Sequence, residues 1–133
     1  MNNLTRWRIE LARDRRSLAV LWSCFVVIAS IVPIKFRHTG SPGRFHEAAH
    51  IIAFLTTVLV FSRCANSRTA RLIYSGWTLF LAFATEWLET AVYHNRFEWR
   101  DVGLDLAGVA LGCLLVAVRL TSVQRVHLGG ERF

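Results

Sequence analysis

The sequence predicts an all-α polytopic membrane protein with four transmembrane helices in a small bundle. Three observations carry that expectation. Of 133 residues, 53% are hydrophobic, and the mean hydropathy is +0.36. The apolar residues collect into four blocks, Leu18–Ile34, Phe45–Ser62, Leu72–Tyr93 and Val102–Leu120. Each is close to the roughly 20 residues a helix needs to cross a hydrocarbon core about 30 Å thick, the second and third by including polar ends. Third, the basic residues alternate in density from one gap between blocks to the next.

Arg6, Arg8, Arg13, Arg15 and Arg16 precede the first block, Arg63, Arg68 and Arg71 separate the second from the third, and Arg119, Arg125 and Arg132 follow the fourth. The other two loops hold Lys35, Arg37, Arg44, Arg96 and Arg100. This makes 11 basic residues on one side and 5 on the other. The positive-inside rule then puts both termini and the middle loop in the cytoplasm. The net charge of +7 and pI near 10.6 are read as this topology signal and as contact with anionic lipid, with no nucleic-acid partner.

Taken in order, residues 1–16 are a cytoplasmic basic segment, either an amphipathic lead-in carrying Trp7, Ile9 and Leu11 or a charged tail. The first block resembles a secretory signal in its basic start, yet it is long for a signal core and no small-x-small cleavage site follows. It is read as an uncleaved helix ending near Pro33. Gly40, Ser41, Pro42 and Gly43 make a turn before helix 2. Helix 2 ends near Arg63, Asn66–Thr69 is a polar turn, helix 3 ends around Tyr93, and His94–Arg100 leads into helix 4. Residues 17–120 thus form the membrane domain and residues 121–133 a cytoplasmic tail. Cys24, Cys64 and Cys113 have no Cys-x-x-Cys spacing, and Cys24 and Cys113 are read as small apolar residues within spans.

This topology brings six of the nine acidic residues to one side: Glu47, Glu86, Glu89, Glu98, Asp101 and Asp105, beside His46, His50, His94 and Arg96. A carboxylate at the centre of a membrane helix costs about 2.5–3.5 kcal/mol on insertion scales, so such residues are functional candidates by default. His46 and His50 are four apart, Glu47 and His50 three, Glu86 and Glu89 three, Asp101 and Asp105 four; residues so spaced are neighbours on a helix surface. Gly108 and Gly112 continue the Asp101–Asp105 face in the small-xxx-small spacing that permits close helix packing, within the monomer or in a homo-oligomer.

Glu86-Trp87-Leu88-Glu89 followed by Arg96, Asp101, Asp105 and Gly108 resembles the second half of the VanZ-like membrane proteins, whose pattern is a Glu-x-x-Gln pair, an arginine, an aspartate and Asn-x-x-Gly. His46-Glu47-Ala48-Ala49-His50 is similar to their earlier Asp-Lys-x-x-His. The resemblance spans residues 18–120. Glu89 stands in place of Gln, Asp105 in place of Asn, and His46-Glu47 in place of Asp-Lys, so this site is the more acidic. The resemblance implies a multi-pass protein of the bacterial inner membrane acting at the cell envelope; the family's namesake is associated with teicoplanin resistance.

Three kinds of function suit these residues. In the first, the pocket binds or acts on a lipid-linked or peptidoglycan-related envelope component: His50, Glu86 and Asp101 are the candidates for acid–base chemistry, and Glu47, Glu89, Arg96, Asp105 and Gly108 line the binding site, Arg96 for a phosphate or carboxylate. No cofactor is implied by this reading. The second is a metal site: His46, His50, His94, Glu86, Glu89 and Asp101 include enough nitrogen and oxygen donors for zinc or a similar ion, and His46-Glu47-Ala48-Ala49-His50 spells the zincin string of a metallohydrolase, with Glu47 as base and Glu86 or Glu89 as third ligand. The third is a structural partner protein whose ion pairs only fix helix packing. Trp77, Trp87 and Trp99 are read as interfacial anchors and packing residues rather than ligand platforms. Phe54, Phe61, Phe80 and Phe83 are read as core or lipid-facing.

Overall fold

The computed structural model describes residues 3–31, 43–94 and 96–129, and the side chains of residues 14–31, 45–94 and 96–119. All regular structure among them is helical: α1 Asn3–Ile31, α2 Gly43–Cys64, α3 Arg68–Tyr93 and α4 Trp99–Gly129. The four predicted blocks each lie within one helix, apart from residues 32–34, which fall outside the described residues together with most of the 35–44 turn. Two boundaries differ from the sequence reading. The basic segment is continuous with α1, and α4 runs nine residues past Leu120; arginine is a good helix former, so a basic flank extends a helix once the apolar span has nucleated it.

The turn between α2 and α3 is short because its caps are efficient. Ala65 N–H bonds back to the Phe61 carbonyl at 2.9 Å, and Ser67 is an extended N-cap whose hydroxyl accepts from Ala70 N–H at 3.0 Å. α3 ends at His94, which adopts a left-handed conformation (φ 53°, ψ 29°) and turns the chain toward α4. Asp101 in the first turn of α4 complements the helix dipole.

α2 and α4 form the most extensive helix pair. The glycine spacing explains why. A Cβ on Gly108 would fall inside van der Waals contact with the Ile51 carbonyl and 3.1 Å from its Cα, and one on Gly112 would lie 2.8 Å from Val58 Cβ. Both glycines are buried, so the face that the sequence offered to a homo-oligomer is covered by α2 of the same chain. α1 joins through indole hydrogen bonds: Trp22 Nε1 donates to Thr57 Oγ1 at 2.9 Å, and Trp77 Nε1 donates to Ser23 Oγ at 3.0 Å. Trp77 therefore ties α3 to α1, in keeping with the packing part of its reading. At one end of the bundle, Tyr93 OH of α3 donates to the Ile31 carbonyl closing α1.

The bundle is nearly inverted in polarity. Its buried apolar side chains are mostly small or central, including Ala19, Val26, Phe54, Phe61, Leu81 and Ala82, and they share the interior with Thr57, Thr78, Thr85, Glu86, Glu89, Asp101 and Asp105. Meanwhile Leu21, Phe25, Ile28, Ile52, Leu72, Ile73, Phe80, Leu114 and Val118 face outward. Phe54 and Phe61 are core, Phe80 and Phe83 exposed. Among the described residues, two helices contain stretches long and apolar enough to cross a membrane, Phe45–Cys64 and Trp99–Arg119, with mean hydropathies of 1.5 and 2.0. α3 is 26 residues long, or about 39 Å at 1.5 Å per residue, but Glu86 and Glu89 dilute its apolar character.

Candidate functional site

The predicted polar residues converge at one end of the bundle, where α2 and α4 begin and α3 ends. His46 and His50 lie one turn apart on α2, and their rings meet edge to face with centroids 4.5 Å apart. Asp101 and Asp105 lie one turn apart on α4. The two pairs stand in register: His46 Nε2 is 3.0 Å from Asp101 Oδ2, and His50 Nδ1 is 2.8 Å from Asp105 Oδ1. His50 Nε2 also points toward Asp101, at 3.9 Å from Oδ2. This register follows from the glycine contact one turn further along, since Gly108 seats α4 directly against the backbone of Ile51. Asp105, with 1% of its surface exposed, is the most enclosed carboxylate of the group.

Where the carboxylates are ionised they accept, and the nitrogens nearest them, Nε2 of His46 and Nδ1 of His50, donate. In that state the His50 proton sits on Nδ1, and Nε2 lies 3.9 Å from Asp101. One donor atom each from His46, His50 and Asp101 lies within 4.8 Å of the others.

α3 supplies the second part. Glu86, only 4% exposed, accepts from the backbone N–H of Glu98 at 2.7 Å. It thereby braces the loop that delivers α4, whose first turn is closed by the Glu98 carbonyl accepting from Asp101 N–H at 3.0 Å. Glu89 is buried one turn on. At the rim, Glu47 pairs with Arg100, which is largely exposed. Arg96 and His94 are exposed on the loop side. Trp87 (64% exposed) and Trp99 (72% exposed) face outward, and Phe97 packs on Trp99.

The structure therefore unites His46, His50, Asp101 and Asp105, and places Glu86 and Glu89 beside them on a third helix. Glu47 is turned to Arg100. Neither Glu86 nor Glu89, the third ligands offered with the zincin string, is in the three-donor group formed among the described residues; Asp101, another of the expected donors, is. Thr90 is a site residue that sequence reasoning left aside: its Oγ1 is shielded from solvent and has no hydrogen-bond partner among the described residues. It follows Glu89 and sits one turn beyond Glu86. No feature of the sequence separates it from the other helix threonines, which bond to carbonyls of their own helices as Thr78 and Thr85 do.

The opposite end is cationic. A cavity of about 350 Å³ between the α2–α3 turn and α4 is lined by Arg63, Arg71 and Arg119 with Ser62, Asn66 and Ser67. The bundle thus has an acidic, histidine-bearing end and an arginine end.

No protein-family model matches the chain, and neither a curated protein nor a solved structure matches it.

Proposed function

We propose that the chain is a VanZ-like integral protein of the bacterial inner membrane, with four transmembrane helices and both termini in the cytoplasm, and that its acidic end opens to the extracytoplasmic side to bind a cell-envelope component. The observation that carries this reading is the burial of Glu86, Glu89, Asp101 and Asp105 at one end of a bundle whose outer surface is apolar. In a soluble protein an exposed apolar surface of this extent is rare, whereas in lipid it is the ordinary outside and the polar groups belong within. The arginine-lined end supports this orientation through the positive-inside rule. The outward-facing Trp87 and Trp99 suit a membrane–water boundary.

The chemistry of the pocket defines the class of ligand. Buried carboxylates accept hydrogen bonds from hydroxyl and ammonium groups, and Arg96 at the rim offers a planar fork to a phosphate. Lipid-linked and peptidoglycan-related molecules combine sugar hydroxyls, amines and phosphates.

The test is teicoplanin susceptibility of a sensitive host expressing the wild type or Glu86→Gln, with the membrane abundance of each protein measured beside it. Protection by the wild type, lost in an equally abundant variant, is the expected result. An abundant wild type that gives no protection would sink the envelope reading.

A further inference from the structure

We infer that His46, His50 and Asp101 form a binding site for a divalent first-row transition metal ion of the zinc class, with Asp105 orienting one of the histidines. The site shares its location with the envelope reading but stands on donor geometry alone.

The first argument is convergence. Two donors held 2.0–2.1 Å from a tetrahedral ion stand about 3.3 Å apart. Asp101 Oδ2 lies 3.0 Å from His46 Nε2 and 3.9 Å from His50 Nε2, and one donor atom from each of the three residues lies within 4.8 Å of the others. These separations bracket the tetrahedral value, so small side-chain rotations bring all three onto one ion. Each histidine pairs with its own carboxylate, His46 with Asp101 and His50 with Asp105, and Asp101 Oδ2 additionally faces His50 Nε2 at 3.9 Å, which brings the second imidazole to the same oxygen.

The second argument is the partner of His50. A metal-bound histidine characteristically donates its other ring N–H to a carboxylate or carbonyl, which fixes the tautomer and strengthens the ligand. Asp105 does this at 2.8 Å to Nδ1, leaving Nε2 for the ion. Asp105 comes from the same helix as the ligand Asp101, so the α2–α4 contact sets ligand and orienting group together.

Charge and donor type narrow the ion. A divalent cation cancels the charges of Asp101 and Asp105, which suits an enclosed position far better than two neighbouring carboxylates left alone. Two imidazoles select against magnesium and calcium, which prefer all-oxygen shells. Three protein donors leave a coordination position open, as in sites where zinc holds water or a substrate. The zincin expectation keeps its two histidines and changes its third ligand from a glutamate of α3 to Asp101.

The experiment uses the full-length chain purified in detergent, stripped of metal with a chelator and titrated with Co²⁺ and then Zn²⁺. We expect one Co²⁺ per chain with visible d–d absorption, displaced by Zn²⁺. X-ray absorption of the zinc form should show nitrogen and oxygen neighbours at about 2.0–2.1 Å with imidazole scattering, and no sulfur at about 2.3 Å. His50→Gln and Asp101→Asn should abolish stoichiometric binding, and Asp105→Asn should weaken it about 10- to 100-fold. His94→Asn, which keeps a residue tolerant of the left-handed backbone, should leave binding unchanged. A helical wild type that binds neither ion, a sulfur neighbour, or full binding by helical His50→Gln and Asp101→Asn would each overturn the site. Where a variant loses its helix content by circular dichroism, the absorption spectrum of the wild type decides alone. Metal binding without teicoplanin protection would leave this site standing and remove the envelope reading; protection by a protein that binds no metal would do the reverse.

Discussion

His50 and Asp105 face each other across the α2–α4 contact at 2.8 Å, and Asp105 is the most enclosed ionisable group of the cluster. Each residue depends on the other. Where Asp105 is ionised, one of its oxygens is satisfied by an imidazole N–H, and His50 has its proton held on Nδ1. Removing His50 leaves Asp105 buried without this donor, and removing Asp105 leaves part-buried His50 with only the longer approach to Asp101 at 3.9 Å.

That dependence predicts a non-additive pair. Asp105→Leu alone should destabilise the bundle by about 3–5 kcal/mol, the usual cost of orphaning one member of a buried pair. The double variant His50→Leu with Asp105→Leu should cost clearly less than the sum of the two single changes. Unfolding in detergent against added denaturant, followed by circular dichroism, measures all three. Simple additivity would mean that the two side chains do not interact as the geometry indicates.

The rim pair should behave differently. Glu47 and Arg100 meet where the arginine is largely exposed, and exposed ion pairs contribute roughly 0–1 kcal/mol. Arg100→Gln should therefore shift stability by less than about 1 kcal/mol. A loss comparable to that of Asp105→Leu would show that Arg100 is enclosed in the membrane-embedded protein.

The glycines separate packing from propensity. Gly108→Ala should destabilise by about 1–3 kcal/mol, because its Cβ meets the Ile51 backbone, which cannot rotate away. Gly76, on α3, has nothing within 4 Å of the same added atom. Gly76→Ala should stabilise by about 0.5–1 kcal/mol through helix propensity alone. The same unfolding assay reads both, and opposite signs are the expected outcome.

Much of this arrangement was legible in the chain. Four apolar blocks gave four helices because helix length and hydrophobicity report directly on local structure. His46, His50, Asp101 and Asp105 were assignable to one end because i,i+4 spacing fixes a face, and the order of spans fixes which ends meet. The pairing itself was not legible. Whether His50 meets Asp105 or Glu86 depends on helix rotation and register, which Gly108 sets through contact with Ile51, and a glycine spacing names no partner. For the same reason Gly108 and Gly112 suited an oligomer as well as an internal contact. The composition marks Trp77 as an anchor or packing residue, but its bond to Ser23 depends on how α1 and α3 face each other. Thr90 was invisible because its distinction is a missing bond.

The membrane arrangement itself makes the last prediction. If all four helices span, His94 and Arg96 lie on the opposite side of the membrane from Asn66 and Ser67, since α3 runs between them as a 26-residue helix. Cysteines placed singly at Arg96 and at Ser67, in a chain whose Cys24, Cys64 and Cys113 are replaced by alanine, should respond oppositely to a membrane-impermeant maleimide applied to intact spheroplasts. Arg96→Cys should label readily, and Ser67→Cys only after the membrane is permeabilised. The alternative in which only α2 and α4 cross is distinguishable, because the two residues would then lie on the same side if α3 rested on the surface. A labelled Ser67→Cys beside a protected Arg96→Cys would invert the orientation and put the acidic end in the cytoplasm. The arginine end weighs against that inversion, since Arg63, Arg71 and Arg119 would all have to lie on the translocated side.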